Sequence, residues 1–456
     1  MRFSELEGAR VGVWGAGREI ASFARQLAKR LPGARIAVVA FDEPPADAGA
    51  AAAELGAPDA DVVSGEQIGP ALARCDAIVR SPGVSIYRAE LQATDVPVTT
   101  STSLWLAEHG PRGVLAITGT KGKSTTAALA HHLARSAGVE TLLAGNIGSP
   151  ALDLLDEEDE ARPVVLELSS YQIADLASGP EVALITNLYD EHLDWHRSRE
   201  AYRADKLRIL GLPGVSATVL NARDPLLSRE QASRRFATPD GWDVVPGQGV
   251  AFAGEPRARG EQLPLRGEHN LLDLCAALTG LEALGIEPPS SLPDALAGFA
   301  GLPHRLQELA EIDGVLWVDD SISTTPQSAL AALAAYPERQ IVLIAGGQDR
   351  GQDYDELAAE LERREAALIA IPTTGPRVIE AALRAGLSHE NALAAPDLAA
   401  AVELARVRAG HGSVVLLSPA APSYDHFSNF EARGRRFSDL LGRSPAQDSS
   451  AGPSLP

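Results

Sequence analysis

Short apolar runs, each followed by a glycine or polar turn, alternate with amphipathic stretches along most of the chain. Residues 9 to 45 give a clear example, because a strand pattern there leads through a glycine turn into an amphipathic helix and a second strand that ends on Asp42. Adjacent parallel strands need such a crossover, which is usually a helix. The alternation therefore predicts an α/β fold with parallel sheets covered by helices.

Further apolar runs predict the other strands. Each is followed by a turn, and they begin at residues 77, 114, 143, 164, 183, 315, 341 and 413. Helices are predicted at 200–209, 328–336 and 354–366. Residues 211 to 265 have the composition of loops, with strand patterns only at 217–221 and 249–252.

The length of the chain sets the number of domains. A chain of 456 residues can form about three domains, each with its own core. We place three α/β domains at 1–106, 107–301 and 302–443. The remaining residues, 444–456, are rich in Ser, Pro and Gly and are expected to be disordered.

Composition narrows the class of protein. No apolar run approaches the roughly 18 to 20 residues of a membrane span, and the first residues lack the pattern of a signal peptide, so we expect a cytoplasmic protein. A net charge of −21 without clustered cations argues against nucleic acid as a partner. Cys75 and Cys275 lack metal-binding spacing and are expected to be buried thiols.

Lysine is nearly absent, since arginine replaces it almost everywhere. The four lysines are Lys29, Lys121, Lys123 and Lys206. A lysine that survives in such a chain is expected to do what arginine cannot, such as act as a compact point charge or lose its proton. This marks Lys206 as a candidate functional residue.

The strand that begins at Val114 runs into a glycine turn with the sequence GTKGKSTT. Gly119 and Gly122 let backbone N–H groups face an anion, Lys123 can reach the outer phosphates of a nucleotide, and Ser124 offers a hydroxyl to Mg²⁺. The helix that follows directs its N-terminus at the same place. We interpret the turn as a phosphate loop, and the alternative is an ordinary strand-to-helix turn.

Polar residues also lie within or after the strand patterns that begin at residues 164 and 183. Glu167 lies inside an apolar run, where an unpaired buried charge costs several kcal/mol, so it is interpreted as a Mg²⁺ ligand, with a structural salt bridge as the alternative. The run that begins at residue 183 ends in a loop with Asn187, Asp190, His192 and Asp194. By its pattern alone, His192 is a surface histidine.

Two turns in the N-terminal part suggest a nucleotide site. Gly15 to Gly17 match the start of the dinucleotide fingerprint, but Ile20 stands at its third glycine position, so a nucleoside diphosphate such as UDP fits better than NAD. Ser81 to Gly83 form a second turn after a strand pattern.

The spacing of the phosphate loop resembles that of a known family. Only Thr120 and Lys121 separate its glycines, whereas the general pattern has four intervening residues. The form GTxGKST resembles the Mur ligases, the ATP-dependent amide-forming enzymes of peptidoglycan precursor synthesis, and their folylpolyglutamate synthetase relatives. Most members have Asn at the position of Lys121. The resemblance covers residues 9 to 443, with Ser81 to Gly83 similar to the SPG turn of the MurD N-terminal domain.

The resemblance implies a Rossmann-like N-terminal domain that binds a UDP substrate, a central phosphate-loop ATPase domain, and a Rossmann-like C-terminal domain that binds the amino acid. The residues it assigns to ATP are Gly119, Thr120, Lys121, Gly122, Lys123, Ser124, Thr125, Asn270, Arg305 and Asp320. The residues it assigns to the UDP substrate are Gly15, Ala16, Gly17, Asp42, Ser81, Pro82, Gly83 and Asn146. Asp273 departs from the family pattern, which has a second Asn near the adenine there.

Two Mg²⁺ ions are also implied by the resemblance. Their expected ligands are Ser124, Glu167, His192 and Lys206, the last as a carbamate formed from CO₂. With Lys123, the last three of these ligands form the expected catalytic group.

Residues Leu417 to Gly434 resemble the MurD-type pattern SPAxxSxDxFxxFxxRG, which is typical of the glutamate-adding branch of the family. The residues expected to bind glutamate are Thr324, Arg350, Ser423 and Phe430. In the same pocket Ile322 replaces a family lysine and Arg350 replaces another. Moving these cations changes where a side-chain carboxylate can bind, so we favour L-glutamate over the D-glutamate of the ordinary enzyme.

The expected reaction joins glutamate to UDP-N-acetylmuramoyl-L-alanine through an acyl phosphate. Only small-molecule substrates are expected as partners, and the protein is expected to act as a monomer. Two other functions stay open at this point, a folylpolyglutamate synthetase and a non-catalytic nucleotide-binding regulator.

Overall fold

The computed structural model describes residues 1–45, 47–157, 159, 161–189, 191, 193–265, 267–299, 301–423 and 425–442. His192 and the predicted disordered tail lie outside the described residues. The chain divides into two compact units, of which the first spans Met1–Phe299 and the second is the chain after it. This boundary lies next to the predicted one at residues 301 and 302, and the predicted division of the first unit at residue 106 stays a prediction.

The first sheet uses the strands β1 Arg10–Trp14, β2 Arg35–Phe41, β3 Asp61–Ser64, β4 Ala77–Arg80 and β5 Val98–Thr99. Its helices are α1 Arg18–Arg30, α2 Ala48–Glu54, α3 Ile68–Leu72, α4 Ala89–Gln92 and α5 Ser101–His109. All neighbouring strands are parallel, in the order β3-β2-β1-β4-β5. The order reverses beside β1, and an open parallel sheet binds its ligands at such a reversal.

Helix α1 shows why this layer forms. Its buried apolar residues Ile20, Phe23, Ala24 and Leu27 recur at the spacing of one helix face. They belong to the same core cluster as Val11 and the other inward-facing residues of β1. The amphipathic pattern of residues 9 to 45 therefore corresponds to a helix packed on a parallel sheet.

The second sheet is formed by β6 Val114–Thr118, β7 Leu142–Gly145, β8 Val164–Glu167, β9 Val182–Ile185, β10 Ala217–Asn221 and β11 Arg234–Phe236. Its helices are α6 Lys123–Ser136, α7 Ser170–Ile173, α8 Leu193–His196, α9 Arg199–Leu207, α10 Gly267–Ala283 and α11 Leu292–Ala295. The order is β11-β10-β9-β6-β8-β7, and every pair is parallel. The carboxyl ends of β6, β8 and β9 therefore lie side by side.

A small antiparallel sheet was not expected. It contains β12 Trp242–Val245, β13 Gly249–Phe252 and β14 Glu255–Ala258. The predicted strands at 217–221 and 249–252 are confirmed as β10 and β13, whereas β11, β12 and β14 in the same segment were not predicted. Three of the four residues of β14 are exposed, so this strand has no apolar pattern that a sequence could reveal.

The second unit contains β15 Gln307–Ile312, β16 Val315–Asp319, β17 Ile341–Ala345, β18 Ala367–Ala370, β19 Ala392–Ala394 and β20 Val414–Leu417. Its helices are α12 Pro326–Ala334, α13 Asp355–Arg363, α14 Gly375–Ala385, α15 Leu398–Arg408 and α16 Phe430–Leu441. The order is β15-β16-β20-β17-β18-β19, with β15 antiparallel and the other pairs parallel. The strands predicted to begin at 315, 341 and 413 are confirmed as β16, β17 and β20.

The predicted α/β class is confirmed. Cys75 and Cys275 are buried free thiols, as expected. Among the described residues, no helix is both long and apolar enough to cross a membrane.

Candidate active site

The turn between β6 and α6 has the geometry of a phosphate loop. Gly119 and Gly122 have φ angles of +149° and +79°, which side chains rarely allow. A Cβ atom on Gly119 would lie 1.9 Å from Thr186 Oγ1, and one on Gly122 would lie 2.1 Å from Asp273 Oδ1. Both glycines are therefore required by the backbone conformation and by close neighbours.

Gly119→Ala is expected to lower kcat/KM for ATP by about a hundredfold, because the new methyl group displaces Thr186 and shifts the loop by a fraction of an ångström. The measurement is steady-state turnover together with thermal unfolding. Gly138→Ala is the matched control, since Gly138 also has a positive φ of +84° but nothing within 4 Å. Gly138→Ala should lower the free energy of unfolding by about 1 kcal/mol without lowering ATP affinity. Equal kcat/KM values in the two variants would contradict the interpretation of the turn as a phosphate loop.

The loop is fastened to the end of β9. Thr186 Oγ1 donates to the carbonyl of Lys121 at 2.6 Å, and the N–H of Lys121 donates to Asn187 Oδ1 at 2.7 Å. The side chain of Lys121 pairs with Glu191. The departure from the family pattern at Lys121 is therefore accommodated by backbone hydrogen bonds that do not depend on its side chain.

Lys206 projects from α9 to the same loop. Its side chain is buried, with 2% of the residue exposed, and Nζ donates to the carbonyl of Gly119 at 2.7 Å. Burial, aided by the nearby ammonium of Lys123, holds the pKa of Lys206 well below its ordinary value. An amine with a lowered pKa spends more of its time neutral, which is the form that can attack CO₂.

Glu167 ends β8 at full burial, with 0% of the residue exposed. Its Oε1 accepts a hydrogen bond from Asn146 Nδ2 at 3.0 Å. Its Oε2 is buried and has no hydrogen-bond partner among the described residues, and no ion pair of Glu167 is found in that part of the chain. A structural salt bridge, the alternative to a metal ligand, is therefore unsupported there.

These residues fit a Mg²⁺ site. A buried carboxylate oxygen without a partner is costly unless a cation binds it, and oxygen is the ligand that Mg²⁺ prefers. Ser124, in the first turn of α6, supplies a buried residue with a hydroxyl. Within the described residues no group of three or more His, Cys, Asp and Glu is placed to hold a metal.

The residues predicted for the UDP substrate, apart from Asn146, lie at the carboxyl ends of β1, β2 and β4. Gly15, with φ +94°, is so close to the second turn that a Cβ there would lie 2.9 Å from Ser81 Cβ. Asp42 follows β2, and its carboxylate accepts from Trp14 Nε1 at 3.2 Å and pairs with Arg88 at 3.1 Å. The two turns and Asp42 thus surround the point where the strand order reverses.

Asn146 links this region to Glu167. The side chain of Arg18, from the first turn of α1, donates to the carbonyl oxygens of Gly145 and Asn146, each at 2.9 Å. Asn146 in turn donates to Glu167, as described above. Arg18 could not be singled out from the sequence, because an arginine at the start of a helix is usually solvated.

Arg80 is another residue that sequence reasoning missed. It ends β4, is fully buried and donates to Asp175 at 2.8 Å and to the carbonyls of Tyr171 and Val84 at 2.8 and 2.9 Å. An arginine at the end of the apolar run AIVR was the available signal, since a charge there needs partners. Arg80 holds the Ser81 to Gly83 turn against residues that follow β8.

Some predicted ATP residues lie on α10 or in the second unit. Asn270 is on α10, whereas Arg305 precedes β15 and Asp320 follows β16. Burial raises the pKa of Asp320 to about 6, although its Oδ2 accepts from Ser418 Oγ at 2.7 Å. Its raised pKa is therefore a consequence of burial, and its assignment to ATP stays a prediction.

Two of the residues predicted to bind glutamate, Thr324 and Arg350, are joined through Gln352. The N–H of Arg350 donates to Gln352 Oε1 at 3.1 Å, and Gln352 Nε2 donates to the carbonyl of Thr324 at 3.3 Å. Gln352 itself was missed, since a glutamine in a polar loop has no distinctive pattern. The structure thus brings these two predicted residues into one loop network.

Ser423 and Phe430 are arranged around Arg433. Ser423 is buried, and the carbonyl of Phe430, at the start of α16, accepts from Ser321 Oγ at 2.8 Å. Arg433 donates to Ser321 and to the carbonyl of Ala421, and burial lowers its pKa to about 10. The loops after β16 and β20 are therefore held together by one guanidinium.

Comparisons with known proteins point to one family. A family model described as Mur ligase middle domain matches residues 117–240, and another described as Mur ligase, glutamate ligase domain, matches residues 304–421. A UDP-N-acetylmuramoyl-L-alanine–L-glutamate ligase of Xanthomonas campestris pv. campestris (strain 8004) is 42% identical over 468 residues, covering 98% of each protein. A ligase of the same name from Micromonospora sp. is 42% identical over 462 residues, 97% of this chain and 98% of that protein.

A solved structure is similar over nearly the whole chain. It is a MurF ligase from Thermotoga maritima in complex with ADP, with a TM-score of 0.56, 17% identity and 97% of each chain covered. At that identity the likeness supports the fold.

Proposed function

Because this chain belongs to the Mur ligase family of ATP-dependent amide ligases of peptidoglycan synthesis, we propose that it joins L-glutamate to UDP-N-acetylmuramoyl-L-alanine. The observation that carries the proposal is the joint placement of Glu167 and Lys206 beside the phosphate loop, where one carboxylate oxygen of Glu167 has no partner among the described residues and burial lowers the pKa of the Lys206 amine. The names of the relatives support L-glutamate. The protein is proposed to act as a cytoplasmic monomer.

In the proposed reaction the free carboxylate of the UDP substrate attacks the γ-phosphorus of ATP, giving an acyl phosphate and ADP. The amine of glutamate then attacks the acyl carbon, phosphate leaves, and the amine loses a proton as the amide forms. The phosphate loop orients the nucleotide, and the Lys123 ammonium neutralises charge on the transferred phosphoryl group. The buried surroundings of Lys206 and Glu167 exclude water from that charge.

Two Mg²⁺ ions are proposed to be held by Ser124, Glu167, His192 and carbamylated Lys206. Bound there, they would stabilise negative charge on the phosphate oxygens. Asn146 keeps Glu167 oriented through its 3.0 Å hydrogen bond, which leaves Oε2 for the cation.

The UDP end is proposed to bind at Gly15 to Gly17, Asp42 and Ser81 to Gly83, because these turns meet at the reversal of the first sheet. Glutamate is proposed to bind near Thr324, Arg350, Ser423 and Phe430. Arg350 is exposed and presents a bidentate cation where the family pattern has a lysine. The hydrogen bonds of Gln352 support a fixed spacing between Thr324 and Arg350.

The proposed preference for L-glutamate predicts a ratio of kcat/KM values. With UDP-N-acetylmuramoyl-L-alanine and ATP, L-glutamate is expected to exceed D-glutamate by at least about tenfold, or about 1.4 kcal/mol in transition-state binding. The same arrangement of cations should not serve both enantiomers, because their carboxylates lie differently about the amine. A tenfold preference for D-glutamate would defeat this proposal and leave the glutamate-ligase assignment intact.

A folate substrate gives the control for the reaction class. ADP release is expected with the UDP substrate and glutamate together, and not with a folate and glutamate. Release with the folate alone would favour a folylpolyglutamate synthetase, and slow hydrolysis that ignores every amino acid would favour a nucleotide-binding regulator.

A further inference from the structure

A chain of buried hydrogen bonds connects the strand end that carries Glu167 with the helix that carries Lys206. His196 lies in the middle of it and has no exposed surface. Its Nδ1 lies 2.7 Å from Asp205 Oδ2, and its Nε2 lies 2.9 Å from Ser170 Oγ. Both ring nitrogens are therefore engaged, one on each side.

The two ends of this chain are adjacent to the proposed metal ligands in sequence. Ser170 begins α7, three residues after Glu167, and Asp205 directly precedes Lys206 on α9. Because β8 and α9 belong to different parts of the central layer, nothing in the local sequence fixes the distance between them. His196 is the residue that spans this gap.

A third contact comes from the region of the first sheet. Tyr87 Oη donates to the carboxylate of Asp205, at 3.0 Å to Oδ1 and 2.9 Å to Oδ2. The ring of Tyr87 packs edge-on against Trp195, with centroids 6.1 Å apart. Tyr87 therefore touches both the helix of Lys206 and the residue that precedes His196.

Trp195 extends this connection to the Ser81 to Gly83 turn. Its Nε1 is 3.1 Å from the carbonyl oxygens of both Pro82 and Gly83, and its own carbonyl accepts from Ser85 Oγ at 2.7 Å. The loop proposed to hold the UDP end is thus bonded directly to the segment that contains His196.

We propose that His196 is a positioning residue, which together with Ser170 and Asp205 fixes the Lys206 amine relative to Glu167, and that Tyr87 ties this placement to the loop after β4. The inference rests on the proposed roles of Lys206 and Glu167. In this proposal His196 acts through its hydrogen bond to Asp205 on helix α9 rather than through a contact with substrate or nucleotide. Helix α9 also meets the phosphate loop, where Lys206 donates to Gly119 and the hydroxyl of Tyr202 lies 2.7 Å from Thr120 Oγ1.

Two substitutions of His196 separate the effects of its two hydrogen bonds. The amide nitrogen of an asparagine can take the place of histidine Nδ1, and that of a glutamine the place of Nε2. His196→Asn therefore keeps the contact with Asp205 and loses that with Ser170, whereas His196→Gln does the reverse. Tyr87→Phe removes the third contact and keeps the packing against Trp195.

We expect His196→Gln to lower kcat by about a hundredfold, the usual cost of misplacing a reacting group by about 1 Å. His196→Asn should lose about tenfold or less, and Tyr87→Phe about fivefold, with the KM for the UDP substrate changed by less than about threefold in all. His131→Gln is the control, because His131 Nδ1 makes a similar 2.7 Å contact with Thr141 Oγ1 away from α9. It should keep wild-type kcat.

Amide hydrogen exchange gives a measurement that does not require turnover. Exchange in residues 199–207 should accelerate in His196→Gln and Tyr87→Phe, and stay near wild type in the control. If the wild-type protein does not join glutamate to the UDP substrate, the proposed function is wrong. Amide hydrogen exchange in α9 still tests the positioning role of His196 in that case.

Equal losses of kcat in His196→Asn and His196→Gln, a change in KM without a change in kcat, or unaltered exchange in α9 would each overturn the inference. If His196→Gln does not fold, the kcat and the amide hydrogen exchange of Tyr87→Phe test the inference instead.

Discussion

Lys206→Ala is expected to lower kcat by at least about a thousandfold. Among the described residues, Lys206 is the one lysine whose buried amine donates to the carbonyl of Gly119, and the substitution removes it. Wild-type protein should contain a carbamate on Lys206, measurable as a mass increase or as a ¹³C signal after exposure to labelled CO₂. Burial, which lowers the pKa of Lys206, favours the neutral amine that this modification needs.

A small carboxylate such as formate or acetate should partly restore turnover of Lys206→Ala, since it can supply the missing anionic oxygen in the cavity. Lys206→Arg should not be rescued, because the guanidinium fills the cavity and forms no carbamate. Lys29→Ala is the matched control: Lys29 is an exposed lysine paired with Asp156 at 2.6 Å and should be dispensable. An unmodified Lys206 in the active nucleotide complex would rule out the carbamate.

Lys123→Ala should lose ATP-dependent phosphate release by a factor of about 10² to 10³, the usual effect of removing one group that stabilises transition-state charge. Lys123 Nζ donates to the carbonyl of Thr120 at 3.0 Å, so the side chain lies across the loop that would hold the phosphates. Single-turnover ADP formation measures the effect directly.

Lys121→Ala is the companion to this variant. Lys121 lies two residues away, but its ammonium pairs with Glu191 and its backbone supplies the contacts with Thr186 and Asn187. Its replacement should change ADP formation by less than about tenfold. Normal turnover in Lys123→Ala would contradict the assignment of the phosphate loop.

The main helices and central strands could be predicted from the sequence, because each depends on a local pattern of apolar and polar residues. The amphipathic spacing of Ile20, Phe23 and Leu27 identified a helix, and the apolar runs at 114, 164 and 183 identified central strands. The glycines of the phosphate loop were identified because their conformation is a property of a few adjacent residues. Strand β14 was missed because its exposed residues leave no apolar pattern.

The candidate site was predicted only in part. Glu167 and Lys206 could be singled out, one as a charge inside an apolar run and the other as a rare lysine. The contacts of Glu167 with Asn146 and of Lys206 with Gly119 could not be predicted, since these residues lie 21 and 87 positions apart. Pattern analysis gives no distance between such residues.

By itself, then, the sequence determined the α/β class, the order of the central strands along the chain and the position of the phosphate loop, all of which follow from the spacing of neighbouring residues. Tertiary structure alone decided which distant side chains meet: Thr186 at Gly119, Asp273 at Gly122, and His196 between Ser170 and Asp205. Strand order and helix packing bring these residues together, and the free energy of that packing is shared among many apolar contacts along the chain rather than specified by any short motif.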